Sequence, residues 1–168
     1  AKKRMLALAK ALGFTRVGVF ETTFKEETEL DLFSEQAVWP SIIAVFLKAF
    51  ELLVSEGYTP EVVLLELLAS GEVVEVFKRV VELGLIKQLS LHSRTSQYGQ
   101  LSRLERYVDT SYIEKMRKAL REIQTGVFAR EWLTEQAMGY PVFNKLWDLA
   151  LKHPINEAEE KVRKLLRG

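Results

Sequence analysis

The sequence has no cysteine among its 168 residues, which removes disulfides, thiolate nucleophiles and cysteine-based zinc sites together. That absence fits a reducing compartment, and a cytoplasmic protein is the expectation. With only two histidines, Ser-His-Asp chemistry has no support. An excess of charge is missing too. Basic residues number 24 and acidic residues 23, so no global field draws the chain to nucleic acid or a membrane surface, and neither is expected as a partner. Lys115, Arg117, Lys118 and Arg121 alternate with Glu114 and Glu122, as on a solvated helix face. No apolar run reaches the roughly 20 residues that span a bilayer. The opening AKKRMLALAKALGF lacks the cleavage site of a signal peptide. There is no internal repeat, and no strand followed by G-x-G-x-x-G, so no βαβ nucleotide-binding unit is expected in these residues.

What is present is helical. The chain is 48% hydrophobic and 28% charged, which predicts one compact domain over residues 1–168 that buries most of its apolar surface. From Glu26 to Glu56 apolar residues recur at spacings of three and four, and Gly57 ends the run. Pro40 lies inside it and is expected to kink or break the helix. A second run opens at Thr59-Pro60, is interrupted by Gly71 and closes at Gly84. The stretch LHSRTSQYGQLSR has no helical period and reads as an ordered loop. Four further helices follow, ended by Gly126, Gly139, the His153-Pro154 pair and the C-terminus, and a short extended piece is expected at TRVGVFETT. Trp39, Trp132 and Trp147 sit in apolar helical patterns and are expected in the core.

The acids are less ordinary. Asp31 and Glu35, four apart, leave the same helix face and can converge on one cation. That spacing alone also fits a solvated face, although Leu32, Phe33, Ala37 and Val38 suggest burial on more than one side. Glu66 is flanked by Leu64, Leu65, Leu67 and Leu68, and a buried acid needs a partner, either a metal or a cation from another helix. Glu72 lies six residues further on, about 120° away on an ideal helix, so the two share a site only if the helix is distorted near Ser70-Gly71. Glu75 is the competing neighbour of Glu72, but it reads as part of a solvated stripe with Lys78 and Arg79. His92 reads as a hydrogen-bonded loop histidine or a substrate contact, and His153 as a helix-end residue.

The segment ETTFKEETELDLFSEQAV resembles the start of the C-terminal helical domain of ketol-acid reductoisomerase. The segments GYTPEVVLLE, LHSRTSQYG, EIQTGVFAREWL, YPVFN and HPINE follow in that family's order, so the resemblance runs from Gly18 to the C-terminus. It implies an all-α, multi-helix domain with a knotted chain path, in an interleaved homodimer with shared sites, whose nucleotide-binding Rossmann half lies outside these residues. It implies two Mg2+ ions held by Asp31, Glu35, Glu66 and Glu72, with Ser93 holding the substrate carboxylate and NADPH bound only through the other half. Counting from Pro60 places Ser70 at the fourth ligand, and counting back from Ser93 places Glu72 there; a two-residue insertion reconciles them. Trp39-Pro40-Ser41, Arg94, Ser96 and Gln97 depart from residues usual in the family.

The implied reaction takes a small 2-hydroxy-3-keto acid such as 2-acetolactate or 2-aceto-2-hydroxybutyrate through alkyl migration and NADPH-dependent reduction to a 2,3-dihydroxy acid, in branched-chain amino-acid biosynthesis. The alternative is a non-catalytic helical dimerisation scaffold derived from the same domain.

Overall fold

The computed structural model describes residues 1–167. Among them there is no strand. Helix α1 (Lys2–Ala11) is followed by a 3-10 turn, Phe14–Arg16, and irregular chain where an extended piece was expected. An extended segment needs a neighbour to take its backbone hydrogen bonds, and no strand is there to do so.

Thr23 caps α2 (Phe24–Phe33) by accepting the Glu26 N–H at 3.1 Å, with Glu26 and Glu27 placed favourably in the first turn. A π-helical turn, Ser34–Val38, joins α2 to α3 (Trp39–Ser55), so Phe24–Ser55 is one continuous helix of 32 residues. Pro40 does not break it. By length and composition this helix is also apolar enough to cross a membrane, a property the run lengths did not register because Lys48 and Glu51 interrupt the run. Pro60 opens α4 (Pro60–Leu64), which continues through a second π-helical turn, Leu65–Ala69. Gly71, in a left-handed conformation at φ +84°, ends that segment, and α5 (Glu72–Leu83) begins in a new direction. After a 3-10 turn, Lys87–Leu91, comes α6 (Arg94–Tyr107), a helix where a loop was expected. Then follow α7 (Thr110–Gln124), α8 (Val127–Ala137), α9 (Pro141–Leu151) and α10 (Ile155–Arg167).

The core forms where α3, α4 and α10 meet, around Phe50, Val63, Leu64, Ile155, Ala158 and Val162. Two polar clasps bind its edges: Glu61 to Lys161 at 3.0 Å, and Glu51 to His153 at 3.0 Å. His153 also accepts the Ile155 N–H on Nδ1 at 3.1 Å, which makes it the helix-end residue expected. At the other end of the long helix, α7 packs against α2, and α8 follows it. The α8–α9 corner is held by Glu135, whose carboxylate accepts the Val142 and Phe143 N–H groups at 3.0 Å each. There Tyr140 adopts φ +65° within a cluster of Trp132, Tyr140 and Phe143 rings.

The expectation of a chain that buries most of its apolar surface is corrected. The accessible surface is 13922 Å², whereas a compact monomer of this mass, 19.3 kDa, exposes roughly 8,500 Å². Trp39 and Trp147 are 51% and 60% exposed, so neither belongs to a core within the chain, and Trp132 is 39% exposed at the α8–α9 corner. Helix α6 makes only slight contact with the other helices, and its residues 101–107 are all exposed.

Candidate active site

Asp31 occupies the last turn of α2 and Glu35 the π-helical turn that follows. The wide turn has a local cause. A proline has no N–H, and its ring collides with the carbonyl four residues back in α geometry. Opening the helix by one residue relieves that collision: the Trp39 N–H reaches the Ser34 carbonyl, five back, and the Ser41 hydroxyl donates to the Ala37 carbonyl at 2.6 Å. Pro40 is accommodated by a bulge, and the bulge carries Glu35. Toward α7 the helix presents Ala37, which is buried, and Glu29, which accepts a hydrogen bond from Gln124 at 3.1 Å. Asp31 and Glu35 are exposed within the chain, contrary to the burial their apolar neighbours suggested.

Glu66 lies in the second π-helical turn, closed by the Ser70 N–H to the Leu65 carbonyl at 3.1 Å. The break at Gly71 supplies the distortion that the six-residue spacing required. Glu66 and Glu72 line one open cavity of ≈ 710 Å³, with Phe46, Val73, Val76 and Phe77 as its apolar wall. Glu66 is exposed and makes no ion pair among the described residues, so the helix-interface pair considered for it is not formed there. Glu75 pairs with Lys78 at 2.5 Å, as its place in a solvated stripe implied. None of Asp31, Glu35, Glu66 and Glu72 makes a side-chain hydrogen bond or ion pair among the described residues.

Ser93 caps α6, its hydroxyl oxygen accepting the Ser96 N–H at 3.2 Å. It does not line the cavity, but His92, Ser96 and Gln100 do. His92 Nε2 lies 3.0 Å from Gln88 Oε1, and its carbonyl accepts from Gln97 Nε2 at 2.7 Å, which fixes the approach to the helix. Ser96 was noted only as a departure from the family's usual residue, and Gln100 was not singled out, because their segment was read as a loop. Once it is helical, positions 96 and 100 fall on one face.

The four acids do not converge within one chain: among the described residues no group of three or more His, Cys, Asp or Glu side chains is placed to hold a metal ion. The acids fall in two separate places, Asp31 and Glu35 on the long helix and Glu66 and Glu72 around the Gly71 break. As a donor set they suit magnesium, being hard carboxylate oxygens free of competing cations.

The profile of the family described as "Ketol-acid reductoisomerase, C-terminal domain" matches residues 24–167. The chain is 41% identical over 169 residues to the ketol-acid reductoisomerase (NADP(+)) of Pyrobaculum aerophilum, covering 100% of this chain and 51% of that protein. It is 43% identical over 162 residues to the Methanopyrus kandleri enzyme of the same name, covering 96% of this chain and 48% of the other. An NADH-preferring ketol-acid reductoisomerase from an uncultured archean superposes with a TM-score of 0.87 at 31% identity, over 95% of this chain and 48% of that one. The chain spans about half the length of the relatives it matches.

Proposed function

Since this chain belongs to the ketol-acid reductoisomerase C-terminal domain family, we propose that it supplies the metal- and substrate-binding half of a cytoplasmic ketol-acid reductoisomerase. The observation that carries the reading is the division of the acids: Asp31 and Glu35 on one face, Glu66 and Glu72 around a cavity elsewhere, all four without side-chain partners among the described residues. Two copies of the chain, arranged as an interleaved homodimer, bring the first pair of one against the second pair of the other. The large uncovered apolar surface supports that assembly. We read the exposed face of Phe24–Ser55 in the same way, as subunit surface, because its C-terminal part already packs in the protein core through Phe50.

In the dimer Asp31, Glu35, Glu66 and Glu72 would hold two Mg2+ ions, which when bound act as Lewis acids toward a 2-hydroxy-3-keto acid and favour alkyl migration. The cavity's apolar wall receives the alkyl groups. Ser93, at the mouth of α6, orients the carboxylate, assisted by the Arg94 and Thr95 N–H groups that no helical turn satisfies. A glutamate of the set that is not fully engaged takes or returns a proton at the migrating centre's oxygen. NADPH would be bound by the other half of the full-length enzyme; no nucleotide-binding motif occurs in these residues.

The test is magnesium titration by calorimetry of the chain and of Asp31→Asn and Glu66→Gln, followed by the two variants mixed after joint unfolding and refolding. Each variant alone is expected to lose binding. The mixture should recover part of it, because each mixed dimer has one site with all its acids intact. A mixture that recovers nothing would place the site within single chains and overturn the shared-site reading. A folded dimer that binds no magnesium would leave the non-catalytic scaffold as the function.

A further inference from the structure

Ser93 accepts the Ser96 N–H on its oxygen, which leaves its hydroxyl proton free to donate, but it lies outside the cavity lining. One turn on, Ser96 lines the cavity with Glu66 and Glu72. Its Oγ accepts a hydrogen bond from Gln100 Nε2 at 3.0 Å, so one lone pair is filled and the hydroxyl proton is turned away from the amide. Among the described residues nothing accepts that proton. Gln100 lines the same cavity and sits one helical turn beyond Ser96, which makes the pair a fixed donor mounted on a regular helix.

The remainder of the cavity says what the donor faces. Phe46, Val73, Val76 and Phe77 form an apolar side with nothing to offer a charged group. The side built by α6 carries neutral donors and the positive end of a 14-residue helix. A small ligand with one carboxylate and one alkyl-bearing end has a single favourable orientation there: carboxylate toward α6, alkyl groups toward the phenylalanines.

We propose that Ser96, held by Gln100, is a second hydroxyl donor to the carboxylate of the acid bound at the Glu66–Glu72 half-site. Ser96 is one of the positions at which this chain departs from the residue usual in the family. The inference rests on the functional reading above, and it adds a binding residue and, in Gln100, a positioning residue that acts through it.

The experiment is titration of the magnesium-saturated chain with 2,3-dihydroxy-3-methylbutanoate, with magnesium affinity measured separately for each variant. Ser96→Ala is expected to weaken the acid by about tenfold, the loss of one hydrogen bond to a charged group, and to leave magnesium affinity unchanged. Ser96→Thr keeps the hydroxyl and should recover most of the affinity, an outcome that a packing role for Ser96 would not produce. Gln100→Leu should weaken the acid in the parent chain and have no further effect in Ser96→Ala. Parent-like acid binding by Ser96→Ala, or equal weakness of the alanine and threonine variants, would overturn the role of Ser96. A Gln100→Leu effect that persists without the serine would overturn the positioning role. Failure of the parent chain itself to bind either magnesium or the acid would overturn the functional reading, and this inference with it, before any variant is compared.

Discussion

The two candidate acid pairs stand beside two wide helical turns that have opposite origins. At Ser34–Val38 the helix opens to pass Pro40 and then continues for 17 residues. At Leu65–Ala69 it opens and then stops, because Gly71 turns the chain into the left-handed region. The first turn is a detour that keeps Asp31 and Glu35 on one rod. The second is a corner, and only the corner brings Glu66 and Glu72, six residues apart, to one cavity. Anchoring differs as well. Leu64, just before the second turn, is 1% exposed in the main core, whereas the first turn is held by Ala37 against α7. A detour tolerates loose support; a corner needs a fixed base.

Removing that base should have the largest effect. Leu64→Ala is expected to destabilise the fold by about 2–5 kcal/mol, since it leaves a cavity beneath the second turn, and urea unfolding would show it. Next is Gly71→Val. A Cβ there meets no atom within 4 Å, so the cost is backbone strain at φ +84°, about 2 kcal/mol or an equivalent straightening of the corner. Straightening would separate Glu66 from Glu72, so magnesium affinity should fall with the unfolding temperature. Pro40→Ala should move the two readouts in opposite directions. Restoring an N–H removes the reason for the detour and should raise stability by about 1 kcal/mol, while re-aiming Glu35 weakens magnesium. If Pro40→Ala changes neither, the cause assigned to the first turn is wrong.

The smallest effect concerns the clasp at the edge of the second region. The Glu61 carboxyl is held below its ordinary range, chiefly by the hydrogen bond from Lys161. A depressed carboxylate contributes stability above its unfolded pKa and loses it as the pH falls through the folded value. The unfolding temperature should therefore drop between about pH 5 and about pH 3, and the drop should be shallower in Glu61→Gln. An unchanged slope in that variant would show the clasp to be without weight.

How much of this was legible depended on whether a signal was local. Thr59 with Pro60 marks the start of α4 where it was expected, while Thr23, which accepts the Glu26 N–H, and Asp109, which accepts the Tyr112 N–H at 2.9 Å, mark helix starts by equally local chemistry that was not read as caps. Helix α6 was missed for a physical reason. Hydrophobic periodicity records a buried face, and this helix has almost none within its own chain, so it shows no period to read. The same reason misplaced Trp39 and Trp147, whose apolar patterns are real but which stay more than half exposed within the chain. For the acids, the four-residue step of Asp31 and Glu35 needed only a helix. The pairing of Glu66 with Glu72 stated its own condition, a distortion at Ser70-Gly71, without establishing that it was met.

By itself the sequence determined the all-helical class, most helix boundaries, the acids available for a metal and the absence of a nucleotide-binding motif, because each is set by residues within a turn or two of one another. Only the tertiary structure decided that Pro40 bends the hydrogen-bond register rather than the helix, that Gly71 makes a corner, that Ser96 rather than Ser93 lines the cavity, and that the two acid pairs lie in separate places. The last two outcomes depend on how distant segments pack, which no local spacing records; the first two have local causes, but spacing alone does not choose between a bulge, a kink and a break.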